Sequence, residues 1–287
     1  MSVVARAVAY GRMIKFSHSV FALPFALTSV ALAASDGLKW RQLAWIVVAM
    51  IGARSAAMGF NRLADQTIDA RNPRTAEREL PRGALGRGEV WGFVLLSAAA
   101  LVVAAWQLNP LCLALSPVAL AIVFGYSYAK RFTSLSHLLL GLALGIAPVG
   151  AWIAIRGRLD VVPVVLALAV LAWVAGFDII YACQDAEFDR REGLFSIPAR
   201  LGVARALVVS RLLHVVAVGL LASLYFMTPL HPVYWLGIAL VALLLVYEHS
   251  LVSADDLSRV DAAFFAVNGW ISVGYCIATA SARWLTL

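Results

Sequence analysis

Residues 43–69 read LAWIVVAMIGARSAAMGFNRLADQTID. The first part of this stretch is apolar enough to enter a bilayer as a helix, and polar side chains then recur at steps of seven and four: Arg54, Asn61, Asp65 and Asp69. Four residues advance about 40° round an α-helix and seven return to within about 20°. The four side chains therefore form one narrow polar stripe. Residues 178–189, DIIYACQDAEFD, close another apolar segment and carry Asp178, Asp185 and Asp189 at the same steps. An ionised side chain within a membrane helix costs about 2.5–3.5 kcal/mol even on the mild insertion scale. Such residues are not kept for packing, so both stripes mark function.

Composition fixes the solvent. The 287 residues are 62% apolar and 14% charged, with a mean hydropathy of +0.86. That much apolar surface has no soluble core to enter, so the chain is an all-α polytopic membrane protein. Apolar stretches of spanning length fall at 16–34, 43–64, 91–108, 110–128, 135–155, 161–184, 206–226, 232–250 and 262–282, which predicts nine transmembrane helices. Residues 91–128 are too long for one span, and Asn109-Pro110 is the break within them. The first stretch lacks a small-residue cleavage site and is expected to be retained. No linker or low-complexity tail interrupts residues 1–287, which are expected to form a single domain.

Nine helices place Arg6, Arg12, Lys15, Arg71, Arg74, Arg78, Arg82, Arg87, Lys130, Arg131, Arg190, Arg191, Arg200, Arg205, Arg211 and Arg259 on one side, and Lys39, Arg41, Arg156, Arg158 and Arg283 on the other. The basic side is cytoplasmic, both acidic stripes end there, and the C-terminus faces outward. The net charge of +7 reads as orientation, lipid-headgroup contact and anion binding, not nucleic-acid binding. Cys112, Cys183 and Cys276 lie within spans without metal-type spacing and read as small core residues.

Asn61, Asp65 and Asp69 offer hard oxygen donors along about 12 Å of helix, which suit Mg2+ together with phosphate and water. The bland alternative is a helix end solvated at the interface. Asp185 and Asp189 repeat the logic, and Asp178 lies almost two turns deeper, where solvation explains it poorly. Tyr126 and Lys130 close the fourth span at i,i+4 on one face, followed by Arg131; an interfacial aromatic with a snorkelling lysine is the alternative. Two carboxylate stripes facing one another at one membrane surface can hold divalent cations, and these can hold a diphosphate. An ion-coupled transporter also carries membrane carboxylates, but usually at the midplane on broken helices. A faint internal echo accompanies the stripes: each Asp-x3-Asp is followed by arginine and then by Pro81-Arg82-Gly83 or Pro198-Ala-Arg200-Leu-Gly202.

The motifs Asn61-x3-Asp65-x3-Asp69, Asp185-x3-Asp189 preceded by Asp178 and Tyr181, Tyr126-x3-Lys130, and Glu79-Leu-Pro-Arg-Gly83 together resemble the UbiA superfamily of intramembrane prenyltransferases. The resemblance covers nearly the whole chain. It implies nine helices around a central cavity, two Mg2+ ions (Mn2+ as a substitute) on Asn61, Asp65, Asp69, Asp185 and Asp189, and a polyprenyl diphosphate with its tail in an apolar tunnel. The four aspartates would be the catalytic set. Asn61, Arg62, Arg82, Tyr126, Lys130, Arg131, Asp178 and Tyr181 would bind substrate. Many members carry a second acidic residue after the motif's Asn, where this chain has Arg62.

The stretches 18–25, 69–75 and 178–185 are similar to bacterial members that prenylate 4-hydroxybenzoate or a dihydroxynaphthoate in ubiquinone or menaquinone synthesis, with a lean to the naphthoate of the futalosine route. A haem or chlorophyll-type acceptor, or terpene cyclisation, are the rival activities. Arg54, about 10 Å deeper than Asn61 on the same stripe, is a candidate for the acceptor's carboxylate or hydroxyl, or an internal ion pair with Asp178. His18 and His137 are candidates for substrate contact or for structural hydrogen bonding. The resemblance implies a bacterial-type inner membrane and a cytoplasmic active site, with membrane lipid and the two substrates as partners. No obligate protein partner is expected.

Overall fold

The computed structural model describes residues 3–14, 21–34, 37 and 39–286. His18 lies outside the described residues. These are all-helical, with no strand among them, and the chain divides into two compact units, Met1–Ser19 with Trp40–Tyr128, and Val20–Lys39 with Ala129–Leu287.

The first unit contains α1 (Val3–Met13), α3 (Trp40–Arg71), α4 (Arg87–Leu108) and α5 (Pro110–Gly125). With 32 residues, α3 runs about 48 Å, well beyond the roughly 30 Å of a hydrocarbon core. The same unbroken helix therefore carries its apolar span and the acidic stripe beyond it. The turn between α4 and α5 is as tight as Asn109-Pro110 predicts. Asn109 is extended, as a residue before proline prefers, and its side chain accepts a bond from the Cys112 amide while Pro110 opens α5. The connection from α3 to α4 folds back on this unit. Leu80 and Leu85 are buried with Ala9 and Met13 of α1, Leu63 of α3, and Val90 and Val94 of α4. The Glu79 carbonyl accepts the amides of Ala84 at 2.8 Å and Leu85 at 3.2 Å, closing the turn.

The second unit contains α2 (Leu23–Ala33), α6 (Ser136–Arg156), α7 (Val161–Ala182), α8 (Ala186–Arg191), α9 (Ile197–Leu201), α10 (Val203–Ser223), α11 (Tyr234–Ser250) and α12 (Asn268–Trp284). Here α7 is the central element and packs against α6 and α10. A Cβ on Gly141 would collide with the Leu171 carbonyl, and one on Gly145 would lie 2.8 Å from the Ala167 carbonyl. The two glycines thus bring the α6 and α7 backbones into contact, the small-residue packing typical of membrane helices. Trp173 and Phe177 of α7 pack with Phe21, Phe25 and Phe264. A π-helical turn at Ala262–Val267 precedes α12, and the Asn268 amide bonds the Ala263 and Phe264 carbonyls that this wider turn displaces.

Seven helices are long and apolar enough to span a membrane; Leu23–Ala33 and Tyr234–Ser250 are apolar but shorter. The chain is thus a multi-pass membrane protein, and the count of nine spans is not reached by length alone. Helix α1 was not foreseen, because residues 3–13 lack a spanning apolar run.

Two readings of helical phase are corrected. Tyr126–Arg131 is a 3-10 helix, and at three residues per turn Tyr126 and Lys130 stand about 120° apart, not on one face. Cys183–Asp185 is likewise a 3-10 turn between α7 and α8, which rotates Asp185 and Asp189 by about 60° relative to Asp178 compared with a continuous α-helix.

Candidate active site

In the first unit the stripe on α3 folds as its spacing predicts. Asp65 and Asp69 are each only 3% exposed, and the Asn61 amide donates to the Asp65 carboxylate at 3.2 Å. Tyr126 lies within electrostatic reach of Arg54, Arg62 and Asp65. Arg62, also buried, donates from Nε to the Met13 carbonyl at 3.4 Å and interacts with Asp69, Glu79 and Tyr126. Its charge therefore sits between the like charge of Arg78 and the acidic Asp69 and Glu79, while its guanidinium ties α3 to the end of α1.

A loop residue completes this cluster. Arg78 donates from one nitrogen to both oxygens of Asp69, at 2.7 and 2.8 Å, and the Thr75 hydroxyl bonds the Asp69 carbonyl. Arg82, the loop arginine expected to bind substrate, is exposed, and its described bond is from its backbone amide to the Arg78 carbonyl. Arg78 was one of five arginines in a loop without periodicity, and nothing in the sequence singled it out.

In the second unit Asp189 interacts with Asp185, Lys130 and His137 and accepts a bond from the Ser196 hydroxyl. A three-residue strap organises the group. The Phe195 amide donates to the Lys130 carbonyl at 2.7 Å, the Ser196 Oγ caps α9 by accepting from the Ala199 amide, and the Ile197 amide donates to His137 Nε2 at 3.3 Å. His137 Nδ1 in turn lies 2.7 Å from an Asp178 oxygen. Asp178 thus has a hydrogen-bond partner within its own unit, His137. Ser196 was missed as a site residue, although Ser196-Ile197-Pro198 is a readable helix start.

Tyr181 packs its ring on Phe264, with centroids 4.3 Å apart, and on Phe265. It therefore belongs to an aromatic cluster. Arg131 is partly buried at the end of the 3-10 turn.

Among the described residues no three acidic, histidine or cysteine side chains converge as a ready-made metal cage. Each unit instead supplies a pair of carboxylates, the donor set of an ion that keeps waters and substrate phosphates as its remaining ligands. Arg62 and Arg78 beside the first pair and Lys130 beside the second suit a phosphate-bearing ligand.

The profile of the UbiA prenyltransferase family matches residues 22–270. Among curated proteins, the 4-hydroxybenzoate octaprenyltransferase of Vibrio parahaemolyticus is 27% identical over 282 residues, which is 97% of this chain and 99% of the relative. Among solved structures, the apo UbiA homologue of Aeropyrum pernix superposes with a TM-score of 0.83 at 35% identity, covering 91% of this chain and 96% of that one. The Archaeoglobus fulgidus homologue bound to GPP and Mg2+ superposes with a TM-score of 0.75 at 21% identity, over 95% and 99% of the two chains.

Proposed function

This chain belongs to the UbiA prenyltransferase family, and from that premise we propose that it is a Mg2+-dependent aromatic prenyltransferase. It moves a polyprenyl group from its diphosphate to a ring carbon of an aromatic acid. The observation that carries this reading is the pair of Asp-x3-Asp clusters, each held beside basic side chains at the end of an apolar helix. The relatives' names favour 4-hydroxybenzoate over the dihydroxynaphthoate, and 4-hydroxybenzoate is the acceptor proposed.

The proposed metal ligands are Asp65 and Asp69, assisted by Asn61, and Asp185 and Asp189. Held by these residues, Mg2+ would supply positive charge to the diphosphate and so make it a better leaving group. Arg78, Arg62, Lys130 and Arg131 bind the diphosphate oxygens, with Arg82 closing from the loop. Tyr126 and Tyr181 offer aromatic faces to the allylic cation, and the apolar helices exclude water that would quench it. Arg54 receives the acceptor's carboxylate and Asp178 lies beside the ring. The whole chain acts as one catalytic domain, its basic loops face the cytoplasm of a bacterial-type cell, and no protein partner is required.

Turnover in detergent decides the reading. Radiolabelled prenyl diphosphates are offered with a panel of hydroxybenzoates and dihydroxynaphthoates, with Mg2+, with Mn2+ and with EDTA. Prenylated 4-hydroxybenzoate that disappears in EDTA is the expected product, and full turnover in EDTA would overturn the mechanism. Cysteine labelling tests orientation: a residue at 76 or 193 reached from outside the cell would overturn it.

A further inference from the structure

Along α7, every residue from Ala172 to Ile180 is buried except Asp178. Its side chain keeps 22% of its surface open, whereas that of its partner His137 keeps 4%. A carboxylate open at that point of an apolar helix faces water or a ligand, since lipid would cost it several kcal/mol.

The hydrogen bonds around His137 fix which nitrogen carries its proton. A backbone amide can only donate, so the Ile197 N–H makes Nε2 an acceptor. The proton then sits on Nδ1 and is donated to Asp178 Oδ2 at 2.7 Å. This bond occupies one oxygen and holds the carboxylate as a base. Oδ1 makes no hydrogen bond among the described residues.

Resting on the aromatic prenyltransferase reading, we infer that His137 is a positioning residue that presents the open oxygen of Asp178 to the acceptor's ring hydroxyl. An ionised carboxylate accepts and cannot donate, so its ligand is a hydrogen-bond donor, which on a hydroxylated aromatic acid is the ring O–H, and the acceptor's own carboxylate is repelled to a cation elsewhere. The pair thus selects hydroxylated rings. It also activates them, because a hydroxyl that donates to a carboxylate releases electron density into the ring. As the ring carbon forms its bond to the allylic carbon, the bond from that carbon to the diphosphate oxygen breaks and diphosphate leaves with the electron pair. The hydroxyl proton moves onto Asp178 and returns to oxygen as the ring carbon gives up its hydrogen as a proton to the departed diphosphate, which restores aromaticity.

The test measures dissociation constants of 4-hydroxybenzoate and of benzoate, together with the KM of prenyl diphosphate, for wild type, His137→Phe and His137→Gln. His137→Phe keeps a ring but cannot hold Asp178. It should weaken 4-hydroxybenzoate about 10- to 100-fold, the loss expected for a charge-assisted hydrogen bond. Benzoate and prenyl diphosphate should shift by less than about threefold, and His137→Gln, which retains an N–H, should recover part of the loss. Equal weakening of both aromatic ligands, or of neither, would overturn the inference. If His137→Phe does not fold, Asp178→Asn decides: the preference for 4-hydroxybenzoate over benzoate should fall about tenfold, and an unchanged preference would overturn it. A wild-type enzyme that prenylates no hydroxylated aromatic acid refutes the proposed function itself, before any variant is made.

Discussion

The two Asp-x3-Asp segments share a spacing but not a structure. Asp65 and Asp69 ride one uninterrupted α-helix; Arg78 donates to both oxygens of Asp69, Arg62 is buried close by, and Asp65 accepts from the Asn61 amide. Asp185 closes a 3-10 turn and Asp189 follows it; Asp189 accepts from the Ser196 hydroxyl, with Lys130 as the nearby cation. Equal spacing in sequence therefore encodes two ways of keeping a carboxylate poised. One is a replaceable counter-ion, and the other, at Asp189, is a hydroxyl held in place by the helix start it caps.

The widest effect would break this comparison by showing where the halves are equivalent. Asp65→Ala and Asp185→Ala should each lower kcat about a thousandfold or more, as expected when several kcal/mol of leaving-group stabilisation is lost. Both proteins should remain folded by size exclusion and circular dichroism. Activity kept by one of them would make that half dispensable.

The counter-ion difference gives the next largest effect. Arg78→Leu leaves Asp69 buried without its partner and should cost about 3 kcal/mol, the low end for a broken buried pair because Arg78 is partly exposed. Asp69→Asn should restore most of that stability in thermal unfolding without restoring turnover. A third contrast follows depth along α3. Arg54→Leu should raise the acceptor's KM about tenfold and leave the prenyl diphosphate KM nearly unchanged, whereas Lys130→Leu should do the reverse. Steady-state kinetics with each substrate varied would show it. The smallest effect belongs to the strap: Ser196→Ala removes a helix cap and a bond to Asp189 and should cost about 1 kcal/mol. Unlike the Arg78 variant, it should not be rescued by neutralising the aspartate it touches.

What the sequence made legible follows from periodicity. Hydropathy located the apolar helices, and steps of four and seven located Asn61, Asp65 and Asp69 because α3 stays α-helical to Arg71. The same arithmetic misplaced Tyr126 against Lys130 and Asp178 against Asp185, because nothing in Tyr126-Ser-Tyr-Ala-Lys130 or Cys183-Gln-Asp185 announces a tightened turn. Neither segment has a proline or glycine to signal it, and the difference of about 20° per residue accumulates unseen. Arg78, Ser196 and the partner of Asp178 were illegible for another reason. They reach the site from a loop, a strap and a first helical turn, and such contacts are set by tertiary path rather than by spacing.

The backbone contact of Gly141 and Gly145 with α7 bears on how the enzyme tolerates its surroundings. Bilayers differ in thickness, and a helix of fixed length answers by tilting. At Gly141 and Gly145 no side chain separates α6 from α7, so a tilt imposed on one helix is transmitted to the other as to two planks pinned together. His137 sits four residues from Gly141 and Asp178 seven from Leu171. Their separation therefore travels with the joint and is insulated from lipid composition, whereas a Gly141→Ala chain would couple acceptor recognition to the thickness of the membrane it was reconstituted in.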